Sequence, residues 1–201
     1  MKLRLGFLAS HMGSNLQAII EARRAGWLVA DLCVVICNNS QAQALRRARG
    51  AGIATRHLSS HTHPSEEALD AAILETLREH EVNLVVLAGY MRKLGPRTLA
   101  HYRGRVLNIH PALLPKFGGP GMYGARVHEA VLAAQEKESG ATIHLVSEEY
   151  DQGPIIAQSR VAVLPSDTAE SLAARVLEVE HALYPETLAR IARGEIELVA
   201  E

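Results

Sequence analysis

Strand-like runs recur through the first 110 residues at intervals that leave room for a helix between each pair, and this rhythm constrains the fold more than any other feature. Leu3–Ala9, Ala30–Cys37, Ala54–Leu58, Val82–Ala88 and Val106–Ile109 read as strands. Ser14–Ala25, Gln41–Gly50, Pro64–His80 and Arg97–Arg103 read as the helices between them. The first helix carries Leu16, Ile19 and Ile20 at helical spacing, with Gly26 as its stop. The second has an Arg-rich outer face, and the third sets Leu69, Ile73 and Leu77 in one stripe. Strands apolar on both faces, alternating with helices, predict an α/β fold with an open, doubly wound, mostly parallel sheet.

Past Pro115 the pattern changes. Phe117–Gly124 holds four glycines and a proline, which predicts a loop, and Arg126–Gln135 a helix. Ala141–Ser147 and Pro154–Val163 are strands with a short connection between them, so they pair as antiparallel neighbours. Thr168–Arg193 predicts a long closing helix capped by Asp167 or Ser166. The expectation is one domain over 1–201, with a phosphate-binding βα half over 1–110 and a closing half over 111–201.

Composition narrows the function classes. The chain has 201 residues, 48% of them hydrophobic, which suffices for one sizeable core. A net charge of −1 gives no basic surface for nucleic acid, and no apolar run is long enough to span a bilayer. The N-terminus turns polar too soon for a signal peptide. Cys33 and Cys37, in one extended strand, stand roughly 13 Å apart, too far for a disulfide. They read as apolar thiols in a reducing, cytoplasmic compartment. His57, His61 and His63 lack Cys or acidic partners at ligand spacing and read as a solvated loop, not a metal site.

Two stretches carry candidate chemistry. Ser10–Asn15, SHMGSN, joins the first strand to the first helix. Backbone N–H groups at a helix start, with Gly13 allowing close approach and Ser14 and Asn15 adding donors, suit a phosphate. An ordinary Ser-capped turn is the competing reading. A dinucleotide fits less well: G-x-G-x-x-G is absent, and the second strand ends in Asn38-Asn39 without a carboxylate for a ribose diol. The other stretch is RVLNIHPALLP at 105–115. Asn108 and His110 are two apart, on one side of a strand end, and Pro111 keeps His110 extended. Such a pair can stabilise an oxyanion and pass a proton. On the residues alone, a His before a Pro at a strand end is more often a structural residue with satisfied bonds. Asp151, in EEYDQGPII, reads as a turn former or as a carboxylate facing His110.

The chain resembles the phosphoribosylglycinamide formyltransferases, folate-dependent formyl-transfer enzymes of purine synthesis. The likeness runs over essentially the whole chain and rests on GSNLQAII (13–20), VVLAGYMRKL (85–94), LNIHPALLPK (107–116), HLVSEEYDQGPII (144–156) and EHALYP (180–185). It implies a Rossmann-like formyltransferase fold and 10-formyltetrahydrofolate as co-substrate, with no metal. It implies small-molecule substrates, no nucleic-acid or membrane partner, and a monomer or homodimer. It assigns Asn108, His110 and Asp151 as the catalytic trio, with Asp151 keeping a protonated His110 charged. It assigns Gly13, Ser14, Asn15 and Glu180 to glycinamide ribonucleotide: the first three to its phosphate, Glu180 to the ribose hydroxyls. It assigns Met91, Arg92, Lys93, Leu94, Asn108, His144, Ser147, Glu148, Glu149, Tyr150 and Asp151 to the folate.

The sequence departs from that pattern at His11 in the turn, at Leu177 where a polar or basic residue is common, and at Glu66 where an Arg is common. The glycine-rich segment is longer than usual and carries one His, His128, where two are common. It reads as a flap over the site or as a surface loop. Related enzymes are disfavoured by what they would add: a formyltetrahydrofolate hydrolase a leading regulatory domain, a methionyl-tRNA formyltransferase a basic C-terminal domain. A sugar-nucleotide formyltransferase is disfavoured by the GSN turn and by length. A silent folate- or phosphate-binding module is disfavoured by the complete trio.

Overall fold

The structure, a computed structural model, describes residues 2–199. Its strands are β1 (Leu3–Ala9), β2 (Ala30–Cys37), β3 (Ala54–His57), β4 (Leu84–Leu87), β5 (Val106–His110), β6 (Glu138–Leu145) and β7 (Ile155–Ala162). Its helices are α1 (Ser14–Arg24), α2 (Gln43–Gly50), α3 (Glu66–Glu79), α4 (Pro96–His101), α5 (Ala125–Ala133) and α6 (Ala169–Ala192). All strands join one sheet in the order β3-β2-β1-β4-β5-β6-β7. The first five run parallel, and β6 and β7 are antiparallel additions. The doubly wound sheet and its late antiparallel pair are thus as the alternation predicted.

Each sheet face has its own core. Leu5, Phe7 and Val35 point to a layer that includes Leu16 and Ile19 of α1, Leu45 of α2, Val131 of α5 and Leu172, Val176 and Leu188 of α6. Leu8, Val34, Ile36 and Val85 point the other way, against Ile73 and Leu77 of α3 and Tyr102 after α4. Burying each of these large side chains contributes about 1.5–3 kcal/mol relative to exposure. This two-sided burial explains why the central strands read as continuous apolar runs.

Differences from the sequence reading fall at element ends. β6 starts at Glu138, earlier than Ala141, because Glu138–Gly140 pair with Arg160–Ala162 of β7. The cap of α6 is Thr168, not Asp167 or Ser166: Thr168 and Ser171 exchange side-chain bonds with each other's backbone N–H. Asp167 instead accepts from the Leu164 N–H and pairs with Arg175. β5 extends to His110 and pairs with β6 in a register that sets Asn108 opposite His144 and His110 opposite Thr142.

Candidate active site

In this strand order the chain switches direction of winding beside β1 and β4, and ligands of open α/β sheets bind at the carboxyl ends there. A cleft of about 660 Å³ opens at that place. Asn15 and Glu180 line one end, Asn108 and His110 the middle, and Met91, Arg92, Lys93, Leu94, His144, Ser147, Glu149, Tyr150 and Asp151 the rest. Glu148, assigned to folate with its neighbours, is outside this lining. Gly13 and Ser14 also stand outside it. Ser14 opens instead on a groove with Gln17, Arg47 and His181.

The βα turn is built around Gly13, whose φ of 65° is left-handed. A Cβ there would lie 2.7 Å from the Ala44 side chain. Neighbours tie the turn down: the Ala44 N–H donates to the His11 carbonyl, and Arg47 Nε to that of Met12. As N-cap of α1, Gly13 provides no side-chain bond, so no cap side chain satisfies the first-turn N–H groups. His11 points its exposed side chain outward, and the left-handed conformation in this turn falls to Gly13. Glu66 is exposed in the first turn of α3, and Leu177 is partly exposed on α6.

The Asn15 side chain turns inward. Its Nδ2 donates to Glu180 Oε2 at 2.7 Å, while its buried Oδ1 has no protein partner. Glu180 is 8% exposed. Burial raises its pKa to about 7, against the lowering effect of the Asn15 bond.

The central cluster gathers three elements. β5 brings Asn108 and His110, β6 brings His144, and the turn after β6 brings Asp151. Asp151 is left-handed, with φ 56°, a conformation that Asp tolerates better than most residues. Close packing shapes its turn: a Cβ at Gly153 would fall 1.9 Å from the Leu145 carbonyl oxygen. Asp151 Oδ2 lies 3.5 Å from His110 Nδ1, and Oδ1 lies 3.4 Å from His144 Nε2. The Gly119 N–H also donates to Oδ2, at 2.9 Å. Burial pushes the Asp151 pKa up, but the neighbouring His144 and His110 rings and the Gly119 N–H together bring it below the usual carboxylate value.

His110 differs from the expectation that Asp151 keeps it charged. Burial lowers its pKa more than Asp151 and the Phe117 carbonyl raise it, so the net shift is downward. The imidazole is 4% exposed, and desolvation of an imidazolium outweighs attraction to a carboxylate not in tight contact. His110 Nε2 lies 2.7 Å from the Phe117 carbonyl, an acceptor only, so Nε2 carries the hydrogen.

Several groups near the site were given no role by the sequence. Phe117 and Gly119 act through backbone groups, which composition does not mark. They bring the start of the glycine-rich segment onto the His110–Asp151 pair. His128, on α5, is buried with an unpartnered Nδ1 and a pKa lowered by burial and by His110. Tyr184 is fully buried, and its hydroxyl donates to the carbonyls of Leu87, at the end of β4, and Leu107, within β5. Its spacing of four from Glu180 on one helix was the available signal. Among the described residues there is no group of three or more His, Cys, Asp or Glu poised for a metal, and no helix long and apolar enough to cross a membrane.

The sequence and the fold both have matches among known proteins. A family model described as formyl transferase matches residues 3–188. Phosphoribosylglycinamide formyltransferase of Escherichia coli is 40% identical, over 95% of this chain and 88% of that protein. The crystal structure of glycinamide ribonucleotide transformylase 1 from Symbiobacterium toebii superposes with a TM-score of 0.91 at 39% identity, covering 98% of this chain and 94% of that one. A formyltetrahydrofolate deformylase from Pseudomonas syringae superposes at 0.84 with 29% identity, covering 96% of this chain but 62% of that one. In sequence and in fold, the chain belongs to the formyl transferase family, with the phosphoribosylglycinamide formyltransferases.

Proposed function

We propose that this cleft transfers the formyl group of 10-formyltetrahydrofolate to the amine of glycinamide ribonucleotide, a step of purine synthesis. The observation that carries the reading is the convergence of Asn108, His110 and Asp151 on one cleft, with Asp151 Oδ2 3.5 Å from His110 Nδ1. The amine attacks the formyl carbon, and the carbonyl oxygen becomes an oxyanion. An Asn108 N–H donates to it. The proton lost by the amine passes to the His110–Asp151 pair, and the imidazolium so formed adds its charge to the oxyanion's stabilisation. The pair then returns the proton to N10 of the folate as the C–N10 bond breaks. The lowered pKa of His110 suits this order, since a ring that releases its proton more readily is more available to accept one.

The nucleotide lies with its phosphate at the turn of Gly13, Ser14 and Asn15 and its ribose hydroxyls on Glu180. The pterin lies along Met91–Leu94 and the segment from Ser147 to Asp151. Lys93 Nζ sits 5.5 Å from the centre of the Tyr150 ring, linking these two walls. The chain is read as one domain, its first half holding the phosphate and its second closing over the folate, working in the cytoplasm as a monomer or homodimer.

The test is to mix the protein with 10-formyltetrahydrofolate and glycinamide ribonucleotide and follow folate absorbance. Turnover that requires the amine supports the reading. Folate consumption without the amine supports a hydrolase, and none in either condition supports a silent binding module. Near-normal turnover in both Asn108→Ala and His110→Ala would overturn the assignment of the trio.

A further inference from the structure

His144 is 2% exposed, and each of its ring nitrogens is engaged. Nδ1 lies 2.9 Å from the carbonyl oxygen of Leu145. A carbonyl only accepts, so Nδ1 carries a hydrogen and Nε2 is the nitrogen left to present a lone pair. Asn108 Nδ2 lies 3.1 Å from that Nε2. The contact is built into the sheet, because the antiparallel register of β5 and β6 places Asn108 directly opposite His144.

A carboxamide nitrogen has two hydrogens. If one is held by Nε2 of a buried ring, the plane and the end-for-end orientation of the amide are set. The second hydrogen then has a fixed direction, and the amide cannot present its oxygen in place of its nitrogen. Without that anchor the amide is free to flip, and the two orientations offer opposite polarity to a developing oxyanion.

We propose that His144 is a positioning residue for formyl transfer, acting through Asn108: its Nε2 accepts one N–H of the Asn108 amide and so aims the other at the formyl oxygen. This rests on the role proposed for Asn108. It also reassigns His144 from contact with the folate to orientation of the group that meets the oxyanion. The competing partner is Asp151, whose Oδ1 is 3.4 Å from the same Nε2. The two partners make different demands. Asn108 donates to a lone pair, whereas Asp151 can bond this nitrogen only when it carries a proton.

A double-mutant cycle on the full-length protein separates the possibilities. His144→Leu should lower kcat about 10- to 100-fold, the scale expected when a catalytic group is displaced, with KM for both substrates within about threefold. His144→Gln, whose side-chain oxygen can stand near the position of Nε2, should recover most of that loss. In an Asn108→Ala background His144→Leu should have no further effect on kcat, because the group it acts through is gone. In an Asp151→Asn background its effect should persist. Equal losses from His144→Leu with and without Asn108 would overturn the proposal, as would a loss confined to folate KM. Should His144→Leu not fold, the same cycle is run with His144→Gln and His144→Asn. Rescue by Gln alone supports the role, and equal loss in both overturns it. Near-normal turnover of Asn108→Ala on its own would overturn both the proposed role of Asn108 and this one. Additivity with an Asn108→Ala variant of lowered but measurable kcat would overturn this one alone.

Discussion

Two carboxylates face the same cleft, and their surroundings push them in opposite directions. Glu180, beside Asn15, is buried with one amide donor, and its pKa is raised to about 7. Asp151, in the centre, is also desolvated, but two imidazoles and a backbone N–H hold it below the ordinary carboxylate range. Burial is the largest influence in both, and the number and charge of the donors decides the outcome. Paired titratable groups held apart in this way mark different tasks. The low carboxyl of Asp151 suits the proton partner proposed for it, and the raised one of Glu180 suits the proposed hold on a neutral sugar.

The largest effects should come from the central cluster. Asn108→Ala and His110→Ala should each lower kcat by about 10²–10³, read by folate absorbance under saturating substrates. Because the His110 pKa is lowered and Asp151 partly offsets that, the acid limb of kcat/KM should lie below that of an ordinary imidazole. Asp151→Asn should move it lower still. An upward move would show that Asp151 does not favour the charged ring.

Glu180 comes next. Glu180→Gln should raise KM for glycinamide ribonucleotide about 10-fold, within the range for losing a hydrogen bond to a charged group, with kcat little changed. In the parent, binding should tighten as pH rises through about 7, where Glu180 ionises. The variant should lack this dependence. Stability has the opposite sign. A raised carboxyl pKa favours the folded state at acid pH, so that contribution is lost as pH rises from the unfolded carboxylate value through about 7. Denaturant unfolding at pH 5 and pH 8 should show a smaller difference in Glu180→Gln than in the parent.

Gly13→Ala should follow, at about 1–3 kcal/mol of stability for a strained left-handed residue, plus displacement of Ala44. KM for the nucleotide should rise with it, read by thermal unfolding and steady-state kinetics. Tyr184→Phe should have the smallest effect, about 1 kcal/mol, because it removes a hydroxyl from two strand carbonyls without opening a cavity.

The first half of the molecule was legible because its information is local. Apolar runs such as Val34–Ile36 are continuous where a strand is covered on both faces, and Gly13 marks a turn that needs a left-handed residue. The closing half was less so. β6 was read as starting three residues late because its first residues are held by pairing with β7, not by their own pattern. The cap of α6 was misassigned by one residue, since Asp167 is a capable cap drawn away by Arg175. Within the site, resemblance named Asn108, His110 and Asp151, which the structure brings to one cleft, while the pull of burial against Asp151 on the His110 ring could not be read from sequence, because the extent of burial is a tertiary quantity.

The sequence alone therefore determined the alternation of strands and helices, the place of the glycine-bearing turn after β1 and the residue types at the end of β5. Each depends on neighbours within a few positions along the chain. Only the tertiary structure decided which groups meet: Asn15 with Glu180 at 165 residues' separation, Asn108 with His144 through the register of β5 and β6, and Asp151 between two imidazoles. It also decided which of these groups hold charge, because desolvation depends on everything packed around a side chain and not on the residues beside it in sequence.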